Sequence, residues 1–188
     1  MVDRWYMPLM LATSALLALL IGGLAVIEVL TARAVSEPPA ARWQAALARM
    51  DDAIERGDFA DAARRWRDAN EAARHSRDWA ALIEVGDGYR RLDRTGRVSA
   101  GLDGGARDAY FKALLRARRD DSLEGVLRVA ESFAALGDAA VVEQCLHVAH
   151  RLAARNVDPI AARRVQMFAD RWAARTLEVE HARATGRP

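Results

Sequence analysis

The residues best suited to chemistry in this 188-residue chain lie in one run, Cys145-Leu146-His147-Val148-Ala149-His150. His147 and His150 are three apart and share a broad face if the run is helical, where two imidazoles can meet at one ion. Glu143 and Cys145 add possible ligands. Cys145 and His147, however, point about 200° apart around a helix and cannot both reach one centre. Two local ligands fall short of a closed zinc site, and neither HExxH nor CxxCH occurs. No metal or cofactor is expected; surface histidines beside an unreactive thiol are the simpler reading. Ser99, Ser122 and Ser132 lack the GxSxG elbow that exposes a nucleophile. Asp51-Asp52 and Asp120-Asp121 are adjacent pairs, and adjacent side chains do not share one face of a helix. No catalytic residue is assigned. A cofactor-bearing enzyme built from distant residues stays as an alternative.

Positive charge is almost all arginine: 28 basic residues, one of them the single Lys112, oppose 26 acids. Arg64, Arg65 and Arg67, Arg90, Arg91 and Arg94, and Arg116, Arg118 and Arg119 form local groups that an acidic partner could use. Their interspersed acids and a net charge of +2 argue against a dedicated nucleic-acid binder, and no specific nucleic acid is expected. The stretch RTGRVSAGLDGG over 94–105 carries Gly96, Gly101, Gly104 and Gly105. It lacks a Gly-Lys-Ser/Thr ending and a GxGxxG arrangement, which leaves partner contact or an inert surface loop.

Helices must hold these side chains. Ala supplies 40 residues, β-branched residues are few, and a lone cysteine excludes an internal disulfide framework. Met7 to Ile27 carries no formal charge and reaches roughly 30 Å as a helix, so a transmembrane helix is expected over 7–30 after a short tail, 1–6. Gly22 and Gly23 form a small patch for helix contact there, and Glu28 is an ionisable group near its end. The anchor reads as uncleaved, in a bacterial inner membrane or its equivalent, and the arginine count does not decide the side of the membrane. Ser36-Glu37-Pro38-Pro39 breaks the helix and closes a linker over 31–39.

Beyond the linker, helical spacing recurs in short segments. Trp43, Leu47, Met50 and Ile54 mark a helix over 40–56, and Gly57-Asp58 ends it while capping the next. Ala62, Ala63, Trp66, Ala69 and Ala73 make the stripe of that second helix. Further helices are expected from Asp78 to Leu92 and from Asp103 to Arg118. Asp121-Ser122-Leu123-Glu124 reads as a capping box beginning at Asp121. Gly137-Asp138 repeats the earlier boundary, and Asp158-Pro159 starts a final helix reaching Ala182.

This pattern resembles the tetratricopeptide repeat family. Val129-Ala130, Phe133, Gly137, Val142, Leu146 and Ala149 fall in the order of its core positions. Leu82, Val85, Gly86, Tyr89, Ala106, Tyr110 and Ala113 form a second unit, and Gly57, Ala62, Trp66 and Ala69 part of a third. The resemblance implies three helical hairpins over 40–156, with an insertion at 94–105 and a capping helix and tail over 157–188. The fold class is then all-α: one transmembrane helix, a hairpin array and its cap. The implied function is a membrane-anchored protein-interaction scaffold, or an assembly or accessory subunit of a membrane complex. Its partner would be a membrane protein or membrane-associated complex, with homo-oligomerisation unresolved. An accessory subunit acting mainly through its transmembrane helix is the other alternative. Protein-contact candidates are Arg49, Arg56, Asn70, Arg90, Gly101 and Arg128; membrane-helix candidates are Gly22, Gly23 and Glu28.

Overall fold

The computed structural model describes residues 39–96, 105–156 and 158–185. These form seven α-helices: α1 (Pro39–Glu55), α2 (Phe59–His75), α3 (Trp79–Asp93), α4 (Gly105–Arg119), α5 (Leu123–Leu136), α6 (Ala139–Asn156) and α7 (Pro159–Ala184). The turns between them follow from local chemistry. Gly57 and Gly137 take φ of +74° and +75°, the left-handed geometry that glycine adopts freely. After each, the amide of the following Asp returns to a carbonyl five residues back, Asp58 to Ala53 at 2.9 Å and Asp138 to Phe133 at 3.1 Å. The same Asp then caps the next helix: Asp58 Oδ1 accepts from the amide of Asp61 at 2.9 Å, and Asp138 Oδ1 from that of Val141 at 3.4 Å.

The turn before α5 uses that geometry without glycine. Asp121 itself sits at φ +48°, and the Ser122 amide reaches the Ala117 carbonyl at 2.8 Å. Ser122 is therefore the cap, accepting from the Gly125 amide at 3.0 Å, and the box expected to begin at Asp121 is displaced by one residue. Glu124 does not close it, because its carboxylate pairs with Arg164 on α7.

Helices pack in sequence as hairpins, α1 with α2, α3 with α4 and α5 with α6, and α7 covers the last pair. The expected stripes form the core: Trp43, Leu47, Met50, Trp66, Leu82, Val85, Tyr110, Phe133, Val142 and Val165 are all buried. Successive hairpins are keyed together by aromatics. Trp66 Nε1–H donates to the Val85 carbonyl at 3.0 Å, and its ring meets Tyr89 edge-on at 5.3 Å. Within the α3–α4 hairpin, Tyr110 passes so close beneath α3 that a Cβ on Gly86 would lie 2.3 Å from its Cε1. The ring then meets Phe133 at 5.7 Å. Arg116 ties the α2–α3 turn to α4, donating to the carbonyls of Ala73, Asp78 and Arg74 at 3.1, 3.1 and 2.6 Å. The Ala73 and Arg74 carbonyls lie in the last turn of α2, where a cation is favoured. Burial, with Arg119 near it, holds the Arg116 guanidinium below its usual pKa.

Two expectations are corrected. No helix among the described residues is long and apolar enough to cross a membrane. The longest, α7, has 26 residues but carries Arg163, Arg164, Asp170, Arg171, Arg175 and Glu178. The span expected over 7–30, with Gly22, Gly23 and Glu28, lies outside the described residues. The fold class that stands is all-α with paired helices; the transmembrane helix, the single-pass localisation and the membrane-anchored function are not carried further. The family resemblance is corrected as well. The first helices of successive units begin at residues 39, 79, 123 and 159, steps of 40, 44 and 36. A tetratricopeptide array advances by about 34 residues each time. What remains is a helical-hairpin arrangement without that period.

Candidate functional site

The first helix of each unit touches its counterpart in the next, so α1, α3, α5 and α7 lie side by side. Their cross-links show the direction. Trp43 Nε1–H donates to Glu84 Oε2 at 2.7 Å, and Arg91 makes paired bonds to both Asp51 oxygens at 2.9 and 3.0 Å. At the other side, Glu124 pairs with Arg164, and Glu131 lies 3.9 Å from Arg171. In both pairs of helices the contacting residue numbers rise together, so neighbours run parallel. The open side of this four-helix row is a continuous strip: Ala80, Glu84, Asp87 and Arg91 on α3, then Glu124, Arg128, Glu131 and Ala135 on α5, at alternating spacings of three and four.

One buried group reaches this strip from behind. The Tyr110 ring is fully buried, yet its hydroxyl donates to Asp87 Oδ1 at 2.6 Å. Burial and the Asp87 carboxylate raise the phenol above its ordinary pKa, against a smaller opposing effect of Arg90. The hydroxyl therefore stays a donor at neutral pH and fixes the Asp87 rotamer. Arg90, beside them, donates from Nη2 to the Ala135 carbonyl at 3.2 Å, linking α3 to α5.

The two ends of the strip differ in charge. On α1 and α3, Asp51, Glu55, Glu84 and Asp87 stand with Arg90, Arg91 and Arg94. On α7, Arg164, Arg171 and Arg175 share one face with Glu178, and Arg164 and Arg171 reach Glu124 and Glu131 of α5. Between α5 and α7 a cleft of about 290 Å³ opens, lined by Glu131, Ala134, Phe168, Arg171, Trp172 and Arg175.

The sequence candidates are scattered with respect to this strip. Arg90 and Arg128 lie on adjacent helices of it, Arg128 being 3.9 Å from Glu131. Arg49 is exposed on α1 but about 160° around the helix from Asp51, away from α3. Arg56 follows α1 and sits 3.7 Å from Asp61. Asn70 lies on α2, beside Arg67, Glu71, Arg74 and His75, on a separate surface. Gly101 lies outside the described residues. Cys145 is fully buried in α6, and burial pushes its thiol up to about 12. His147 and His150 are exposed, and no group of three or more His, Cys, Asp or Glu among the described residues could hold a metal ion. The arginine groups disperse too: Arg64 and Arg65 turn to Asp61, Arg91 to Asp51, and Arg116 to backbone carbonyls.

Sequence reasoning missed Glu84, Asp87, Arg171, Trp172 and Arg175. A signal existed for the last three, since Phe168, Arg171, Trp172 and Arg175 recur at spacings of three, one and three on one side of a helix. No family model matches the chain, and none of the curated proteins matches it.

Proposed function

We propose that this helical domain is a protein-binding module, and that the strip formed by α1, α3, α5 and α7 receives a segment of its partner. The observation carrying this reading is the strip itself: four parallel helices present an open face whose charged side chains are held in fixed positions by Trp43, Asp51 and Tyr110. Pre-positioned side chains reduce the ordering entropy that association must overcome. A stack of hairpins with an open face of this kind suits an extended contact better than an enclosed reaction.

A photo-crosslinking amino acid placed singly at Ala48, exposed on α1 one turn before Asp51, or at Glu84 or Arg128 tests it, with Arg64 and His147 as positions on other surfaces. The expected result is an adduct with one defined protein from the first three positions, lost when Arg128→Glu is added to the Glu84 probe. Adducts forming only from Arg64 and His147 would remove the strip as the binding surface.

A further inference from the structure

The cleft between α5 and α7 has a chemistry of its own. Its floor is apolar: Phe168 is 6 % exposed, Ala134 lies beside it, and Trp172 is half-buried against the core. Its rim is rich in donors. Arg171 and Arg175 stand one helical turn apart, and the only acid in the lining is Glu131. That carboxylate is already placed 3.9 Å from both Arg171 and Arg128. Arg175 pairs with no carboxylate among the described residues, and the Trp172 indole N–H donates to none of them. An indole nitrogen only donates and a guanidinium never accepts, so whatever completes this rim must bring acceptor oxygens. Guanidinium forks match carboxylates in particular. The volume is at the small end of ligand sites, with room for one large side chain and the acid beside it rather than for a folded surface.

We propose that this cleft anchors an acidic segment of a protein partner, in which an Asp or Glu stands next to a large apolar residue. The apolar side chain lies on Phe168 and Trp172, while the carboxylate takes the free donors of Arg175 and the Trp172 indole, with Arg171 at its edge. The charge distribution fixes the location. An acidic segment meets the carboxylates of Asp51, Glu55, Glu84 and Asp87 at the α1–α3 end, and at the cleft it meets Arg175, whose guanidinium pairs with no carboxylate among the described residues. This inference rests on the protein-binding reading and adds the partner's chemistry and the place where it is held.

The test uses the full chain, isotope-labelled, and the pentapeptide acetyl-Glu-Asp-Phe-Glu-Leu-amide as the probe. Its neutral counterpart, acetyl-Gln-Asn-Phe-Gln-Leu-amide, is the control. The acidic peptide is expected to shift the Trp172 indole N–H resonance saturably, that resonance being assigned by its disappearance in Trp172→Phe. Arg175→Gln, a change at an exposed position, is expected to weaken binding about tenfold, the loss of one charged hydrogen bond. Arg49→Gln, far around α1, should leave binding unchanged. Equal binding of the two peptides, no saturable shift, or full affinity in Arg175→Gln overturns the assignment. Crosslinks at Glu84 and Arg128 together with a silent pentapeptide would remove the cleft alone. A bound pentapeptide without those crosslinks would remove the strip and leave the cleft.

Discussion

Replacing Gly86 with alanine tests how tightly α3 and α4 close within their hairpin. A Cβ there would lie 2.3 Å from Tyr110 Cε1, 2.7 Å from Cδ1 and 3.0 Å from Cζ, where carbon atoms normally rest about 3.5–4.0 Å apart. The ring would have to withdraw by more than about 1 Å. It has nowhere to go: it is fully buried, sits edge-on to Phe133, and is tied through its hydroxyl to Asp87 at 2.6 Å. Overpacking of this kind costs about 1–3 kcal/mol. Losing the bond to a charged acceptor adds about 1.5–3 kcal/mol, and alanine's better helix propensity returns about 1 kcal/mol. The expected net loss is about 1.5–5 kcal/mol, a fall of roughly 0.75–2.5 M in urea midpoint for a slope near 2 kcal/mol/M. Urea unfolding followed by far-UV circular dichroism and tryptophan fluorescence measures it. Gly88→Ala is the control, because there the nearest atom, 2.7 Å away, is the terminal methyl Cδ2 of Leu47, which can swing aside. Its loss should stay below about 1 kcal/mol. In a Tyr110→Val background the Gly86→Ala penalty should vanish or reverse sign. A penalty of the same size in both backgrounds, or one under about 0.5 kcal/mol in the parent chain, would refute the steric account.

Arg116→Met keeps the apolar stem but removes every donor to the Ala73, Arg74 and Asp78 carbonyls; a loss of about 1–3 kcal/mol is expected, with faster amide exchange through 77–80. Arg116→Lys should restore less than half, since one ammonium cannot span three carbonyls; unchanged exchange in Arg116→Met would contradict the clamp. For Cys145, a thiol held near 12 in the folded chain and near 8.5 when unfolded favours folding below about pH 8.5, and that contribution is lost as pH rises from there toward 12. The stability difference between the parent chain and Cys145→Ala should therefore shrink between about pH 8.5 and 10.5, and a thiol reagent at pH 8 should label the chain only as fast as it unfolds. Immediate labelling of the folded chain would show the thiol to be accessible.

Local structure was readable where a few neighbouring residues decide it. Gly57-Asp58 and Gly137-Asp138 each place a residue free to take positive φ before a carboxylate that caps the next helix, and both turns form as those types dictate. The buried stripes were equally visible, from Ala62 to Ala73 on α2 and from Val129 to Phe133 on α5. The cap of α5 was misplaced because both Asp121 and Ser122 can cap. Only the backbone decides between them, and Asp121 is taken up by the left-handed position. Long-range polar pairs were invisible. Arg116 reads like its neighbours Arg118 and Arg119, yet it alone reaches across to the end of α2. The role of Trp172 in a cleft depends on how far α7 continues past Ala134 of α5. The longer second unit was legible as the insertion over 94–105, but the 40- and 36-residue spacings were not, because substitutions among Ala, Leu and Val satisfy a repeat template at nearly any spacing.

Those unequal units, 40, 44 and 36 residues apart, also bear on how the chain finds its fold. Identical modules can pair out of order, skipping a neighbour and still covering their apolar sides, and such mistakes are slow to undo. Here every junction has a different shape. Trp66 of the first hairpin needs the Val85 carbonyl of the second, and Trp79 of the second needs the bare backbone of Gly125 in the third. A hairpin docked on the wrong neighbour would leave an indole without an acceptor or drive a ring into a Cβ. The order of assembly is thus written into the seams, and neither duplicating nor deleting one hairpin would produce a longer or shorter working version.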